Sequence, residues 1–160
     1  MKRIILAAIV TLFTVSAFAQ VSNEDLAIVQ SVFQKQKADL VKQNIQMTAA
    51  QSKQFWPLYE NYEAKRLALS KKRAAIVNDY LKGYDTMKGQ AFSALAVRTF
   101  ANDRAFTDLQ SSYFPKFAST IGDKNAVKFY QLENYLQQIV RLKVQDNIPF
   151  IDELDKTKHN

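Results

Sequence analysis

The sequence predicts an all-α protein organised on a long helical hairpin. Three observations carry that expectation. Apolar residues recur at helical spacing through most of the chain, with no alternating or β-branched runs that read as strands. Only three Gly and three Pro punctuate the 160 residues, too few for the tight turns of a β fold. Thr48 and Gln51 form a capping box at the head of a periodic stretch that continues to about Lys82, long for a globular helix. The expected architecture is four helices, with a long, curved, proline-kinked hairpin and flanking helices.

The amino-terminal residues read as an export signal. Met1-Lys2-Arg3 is a basic n-region, Ile4 to Val15 an apolar h-region, and Ala17-Phe18-Ala19 a small-x-small cleavage site. The apolar run is short for a membrane span. Cleavage after Ala19 leaves 141 of the 160 residues, starting at Gln20, as a periplasmic chain with no transmembrane segment. The expected organisation is residues 1–19 as signal, 20–151 as one helical domain, and 152–160 as a disordered polar tail. There is no cysteine, which excludes disulfides, thiolate catalysis, Cys-based zinc sites and a lipidated amino-terminal cysteine. Without Lys2 and Arg3, 20 of the 22 basic residues remain against 15 acidic ones, a net charge of +5. That balance suits acidic surfaces or unfolded chains and is too diffuse to point to nucleic acid.

A first helix is expected from about Asn23 to Lys42, opened by Ser22 with Asp25, its stripe formed by Leu26, Val29, Phe33 and Leu40. The second follows Thr48. At ~100° per residue, Phe55, Leu58, Tyr62, Leu69, Ile76 and Tyr80 share one stripe. Trp56, Tyr59, Leu67, Ala74, Val77 and Leu81 form an adjoining stripe, leaving Glu60, Asn61, Ala64, Ala68, Lys71, Ala75, Asn78, Asp79 and Lys82 as a solvated arc. A helix apolar over half its circumference needs partners on two sides, and a homodimer is expected on that ground. Gly83 and Gly89 bracket a turn. The third helix spans about Gln90 to Thr120, with Phe92, Leu95, Phe106, Leu109, Tyr113 and Phe117 on one face. Gly122 reads as its C′ residue and Asp123 as the next N-cap. The fourth helix carries Phe129, Leu132, Leu136, Ile139 and Val140 and ends near Asp146, ahead of Pro149. Ile148-Pro149-Phe150-Ile151 then reads as an apolar strap.

Pro57 follows Phe55-Trp56 and Pro115 follows Tyr113-Phe114, each proline 29 residues from Thr86. In a hairpin centred on Thr86 both lie ~44 Å from the turn, side by side. Either both helices bend at that level and the hairpin curves, or each proline breaks its helix into separate packed pieces.

Catalytic signals are missing. The sole histidine, His159, stands next to last in the chain, and no glycine-rich phosphate loop, nucleophile elbow or His-Glu-x-x-His occurs. Asp152, Glu153 and Asp155 lack the glycine turn of a calcium loop. No catalytic residue, cofactor or metal is expected, and the chain reads as a non-enzyme. Lys65, Arg66, Lys72 and Arg73 fall in the sector of Tyr62, Leu69, Ile76 and Tyr80. Such a stripe has two readings: a binding face made of Tyr62, Arg66, Leu69, Arg73, Ile76 and Tyr80, or a core seam with basic side chains snorkelling at its edge.

Met47-Thr48-Ala49-Ala50-Gln51, opening a long helix behind an export signal, resembles the Leu-Thr-x-x-Gln motif of the Spy/CpxP periplasmic family, with Met47 in place of Leu. That resemblance implies a curved helical hairpin that dimerises and serves as an envelope-stress chaperone or regulator. Phe55-Trp56-Pro57-Leu58-Tyr59, Phe129-Tyr130-Gln131-Leu132-Glu133-Asn134 and Ile148-Pro149-Phe150-Ile151 more closely resemble a group of exported bacterial proteins of no assigned function. The expectation is an ATP-independent chaperone-like protein that binds unfolded or envelope polypeptides. Its alternative is a regulatory adaptor for one specific envelope partner.

Overall fold

A computed structural model describes residues 35–146 and residue 148. The expected signal, the start of the first helix, most of the apolar strap and the polar tail lie outside them. The chain divides into two compact units, Met1–Gln46 and Met47–Asn160. Every described element is an α-helix.

In the first unit, residues 35–44 are helical and labelled α1. Lys37 and Val41 of α1 and Ile45 just after it are buried, spaced i, i+4, i+8. The Asn44 side-chain amide donates to Leu40 O at 2.8 Å and the Ile45 N–H to Val41 O at 2.9 Å. These bonds carry the helix two residues past the expected end.

The second unit holds α2 (Ala49–Gly83), α3 (Gln90–Ile121) and α4 (Asp123–Asp146). Thr48 caps α2 from an extended conformation. Its hydroxyl accepts from Gln51 N–H at 3.2 Å, and Gln51 Oε1 accepts from Thr48 N–H at 3.0 Å. Two donors that a helix start leaves orphaned are thereby satisfied. Every residue of the expected solvated arc is exposed.

Both helices run unbroken through Pro57 and Pro115, so neither proline divides its helix into pieces. Pro57 and Pro115 are exposed, as are Lys53 and Ser111 four residues earlier. The carbonyls that lose an N–H partner therefore lie on the wet side, where water replaces the missing bond.

α2 and α3 form the antiparallel hairpin. Asn61 meets Tyr113, Leu69 meets Asn102, and Asp79 meets Arg98. Phe55 and Phe117, each two residues from a proline, lie 5.4 Å apart between ring centroids, which puts the two prolines near one level. Gly89, with φ 52° and ψ −119°, caps α3 in a conformation that suits glycine. Gly122, at φ 81°, ends α3 by donating its N–H to Ala118 O at 2.9 Å. Asp123 is then the first helical residue of α4 rather than its N-cap, because the left-handed glycine already makes the junction. Its carboxylate still sits at the positive end of the helix.

α4 returns antiparallel to α3: Phe117 packs on Phe129 at 4.6 Å, and Asp103 meets Arg141 further along. With 24 residues against 32 in α3, it is ~36 Å long against ~48 Å and stops short of the hairpin turn. Phe55, Tyr59 and Tyr62 of α2, Tyr113 and Phe117 of α3, and Phe129 of α4 form one aromatic cluster at the proline end. Each aromatic pair adds ~0.5–1.5 kcal/mol beyond simple burial.

Candidate functional site

The stripe expected to bind partners, Tyr62, Arg66, Leu69, Arg73, Ile76 and Tyr80, follows a 4–3 spacing that Phe55 and Tyr59 extend towards the start of the helix. That is the spacing of a helix–helix seam. Tyr62 is 2% and Ile76 8% exposed, and the Arg66 and Arg73 side chains are 14% and 25% exposed. Leu69 and Tyr80 are half-buried. The six residues do share one face, and it looks inward. Tyr62 lies against Tyr113, Phe117 and Phe129 at 5.4, 5.7 and 5.9 Å, so α3 and α4 occupy the surface a client would need. Of the two readings of this stripe, the folded chain shows the core seam. Among the structural-motif residues, Thr48 and Gln51 make the cap, Phe55 is fully buried, and Trp56 is half-buried with its indole N–H on Ser52 Oγ at 3.0 Å.

The seam carries two polar layers. In the first, the Tyr62 hydroxyl donates to Glu133 Oε2 at 3.0 Å, with Glu133 only 4% exposed. Arg66 Nε reaches both Glu63 oxygens at 3.0 Å, and Nη2 reaches Oε2 at 3.0 Å. Burial pushes the Tyr59 and Tyr62 phenols well above their ordinary value, and the carboxylates of Glu63 and Glu133 push them further. Both phenols stay protonated, and that of Tyr62 acts as a donor to Glu133. Burial alone would lower the Arg66 value, but Glu63 holding the guanidinium, with Glu133 and Tyr62 adding to it, raises it overall. In the second layer, Asp103 Oδ1 accepts from Arg73 of α2 and from Arg141 of α4, the latter at 2.7 Å. Burial lowers the Arg73 value, with Asp103 opposing and Arg141 adding to the effect. Arg141 also lies 5.9 Å from the Phe106 ring centroid. These layers tie three helices into register by charge and hydrogen bonding. Among the described residues no three His, Cys, Asp or Glu side chains gather in a way that holds a metal.

The exposed apolar surface lies elsewhere. α4 buries Ala126, Phe129, Glu133 and Leu136. A second stripe, Leu132, Tyr135, Ile139 and Leu142, is turned by ~120° from the first at ~100° per residue. Leu132 and Ile139 are half-buried, while Tyr135 is 50% and Leu142 64% exposed. On α3, Val97 and Phe100 are 63% and 64% exposed. The periodicity of α4 supplies more apolar face than its packing against α2 and α3 uses, and the surplus stays in water.

Sequence reasoning passes over Glu63, Asp103 and Phe100, and meets Glu133 only as part of the 129–134 motif, with no role. Glu133 leaves a signal, since a carboxylate occupies a slot of the apolar series 126, 129, 133, 136. Phe100 leaves another: it stands off the stripe that the other large residues of α3 share. Comparison with protein-family models, curated proteins and solved structures finds no match for this chain. No described helix is long and apolar enough to cross a membrane.

Proposed function

We propose that this chain is an exported, non-catalytic protein that binds other polypeptides without ATP, in the manner of a small envelope chaperone of the Spy/CpxP kind. The observation that carries this reading is the second apolar stripe of α4, with Tyr135 and Leu142 half or more exposed. An amphipathic helix face with large side chains in water accepts apolar segments of many sequences. The export signal and the basic balance of the processed chain support the compartment and the preference for unfolded chains. The binding surface is thus assigned to the outer face of α4 rather than to the Tyr62–Tyr80 seam, which the chain keeps for its own packing. The same outer face is where two copies would meet as a homodimer.

Purified processed protein, mixed at equal molarity with unrelated aggregation-prone clients, tests the reading by light scattering. Suppression across several clients is the expected result. Protection of a single partner only points to the adaptor alternative, and protection of none contradicts both.

A further inference from the structure

The side of the hairpin between α2 and α3 carries cations that the fold leaves without counter-charges. Asp79 and Arg98 pair across the two helices at 2.7 Å. In an antiparallel hairpin, seven residues back along α2 match seven forward along α3. Lys72 therefore stands across from Ala105, and Lys65 across from Ser112. Lys116 joins them: its ammonium lies 4.6 Å from the Tyr113 ring centroid, and that of Lys65 lies 5.3 Å from the same centroid. Tyr113 is only 4% exposed, and its hydroxyl is committed to Asn61 Oδ1 at 2.5 Å. All three lysines are exposed, and among the described residues none has a carboxylate within ion-pair distance. Of the nearby acids, Glu63, Asp79 and Asp103 are held by Arg66, Arg98, Arg73 and Arg141, and the exposed Asp108 of α3 lies outside ion-pair distance of the three lysines.

We infer that this face, centred on Lys65, Lys72 and Lys116, docks an acidic segment of a partner polypeptide. Two ammoniums near one ring raise the local positive charge, and an incoming carboxylate relieves it and takes charge-assisted hydrogen bonds from them. Lys65 and Lys72 are seven residues apart, ~10.5 Å along the helix. A partner helix with acidic residues recurring every seventh position matches that spacing, as in charge pairing at the flanks of coiled coils. The Tyr113 ring holds two of the ammoniums by cation–π attraction, so less side-chain freedom is lost on binding. This face is separate from the outer stripe of α4, and its partner is selected by charge rather than by apolar surface.

The test is the binding of a fluorescent poly-glutamate peptide to the processed protein at low salt, read by anisotropy. The variant Lys65→Gln/Lys72→Gln/Lys116→Gln should weaken binding at least about tenfold. The equal-charge control Lys53→Gln/Lys88→Gln/Lys124→Gln should weaken it less than about threefold. The Lys65→Arg/Lys72→Arg/Lys116→Arg variant keeps the charge and should retain most of the affinity. Equal losses in the first two variants, or no binding by the parent, would overturn the proposal. Binding of phosphatidylglycerol vesicles that depends on the three lysines, with no peptide binding, would overturn it in favour of a lipid surface. Client protection that persists while peptide binding is absent leaves the α4 reading standing and removes only this one.

Discussion

The hydroxyl of Tyr62 donates to Glu133 Oε2 at 3.0 Å across 71 residues of sequence, inside the three-helix seam. Tyr62→Phe removes the donor and leaves a buried carboxylate oxygen without that bond, which should cost ~1.5–3 kcal/mol. Glu133→Gln keeps an acceptor for the phenol and should cost less than ~1.5 kcal/mol. Urea unfolding of both variants measures the difference. Equal stability of Tyr62→Phe and parent would show that this bond does not hold α4 to the hairpin.

Alkali should weaken the fold through Tyr59 and Tyr62. Their folded-state values stand above the ordinary 10.0, through burial first and neighbouring carboxylates second. Below pH 10 folded and unfolded chains both hold the phenol protons, so stability is unaffected by them. Above it the unfolded chain releases protons that the folded chain keeps, and stability falls by ~1.4 kcal/mol per pH unit for each tyrosine. Tyr59→Phe should remove about half of that slope. Urea midpoints that stay flat between about pH 9 and 11 would contradict the burial of both hydroxyls.

The Thr48 cap predicts a local loss. Thr48→Ala removes the oxygen that accepts from Gln51 N–H and should cost ~1 kcal/mol. Thr48→Ser, which keeps a capping oxygen, should recover most of it. Thermal unfolding of the two variants gives the comparison.

The legible parts of this structure are those whose partners lie within a helical turn or within one helix period. The Thr48–Gln51 box is such a pair, and the solvated arc from Glu60 to Lys82 follows from period alone. The helix stop at Gly122 follows from local conformation. Arg66 and Arg73 fall on the right stripe but read equally well as surface or seam, because the deciding partners come from elsewhere. Asp103 is 30 residues from Arg73, and the rings that cover Tyr62 belong to α3 and α4. The outer stripe of α4 is hidden for a similar reason: Leu132 and Ile139 sit on it, yet period alone does not tell which of two apolar stripes the hairpin takes. Burial chooses Ala126, Phe129, Glu133 and Leu136, a series that includes a carboxylate where a hydrophobe is expected.

The account's central claim is that the outer face of α4 binds polypeptides, and Tyr135→Ser/Leu142→Ser tests it most directly. Both side chains are half or more exposed, so the variant should keep its helicity and lose less than ~1 kcal/mol of stability. Protection of unrelated clients, measured by light scattering against the parent, should fall several-fold. Full protection by a well-folded double variant would contradict the claim.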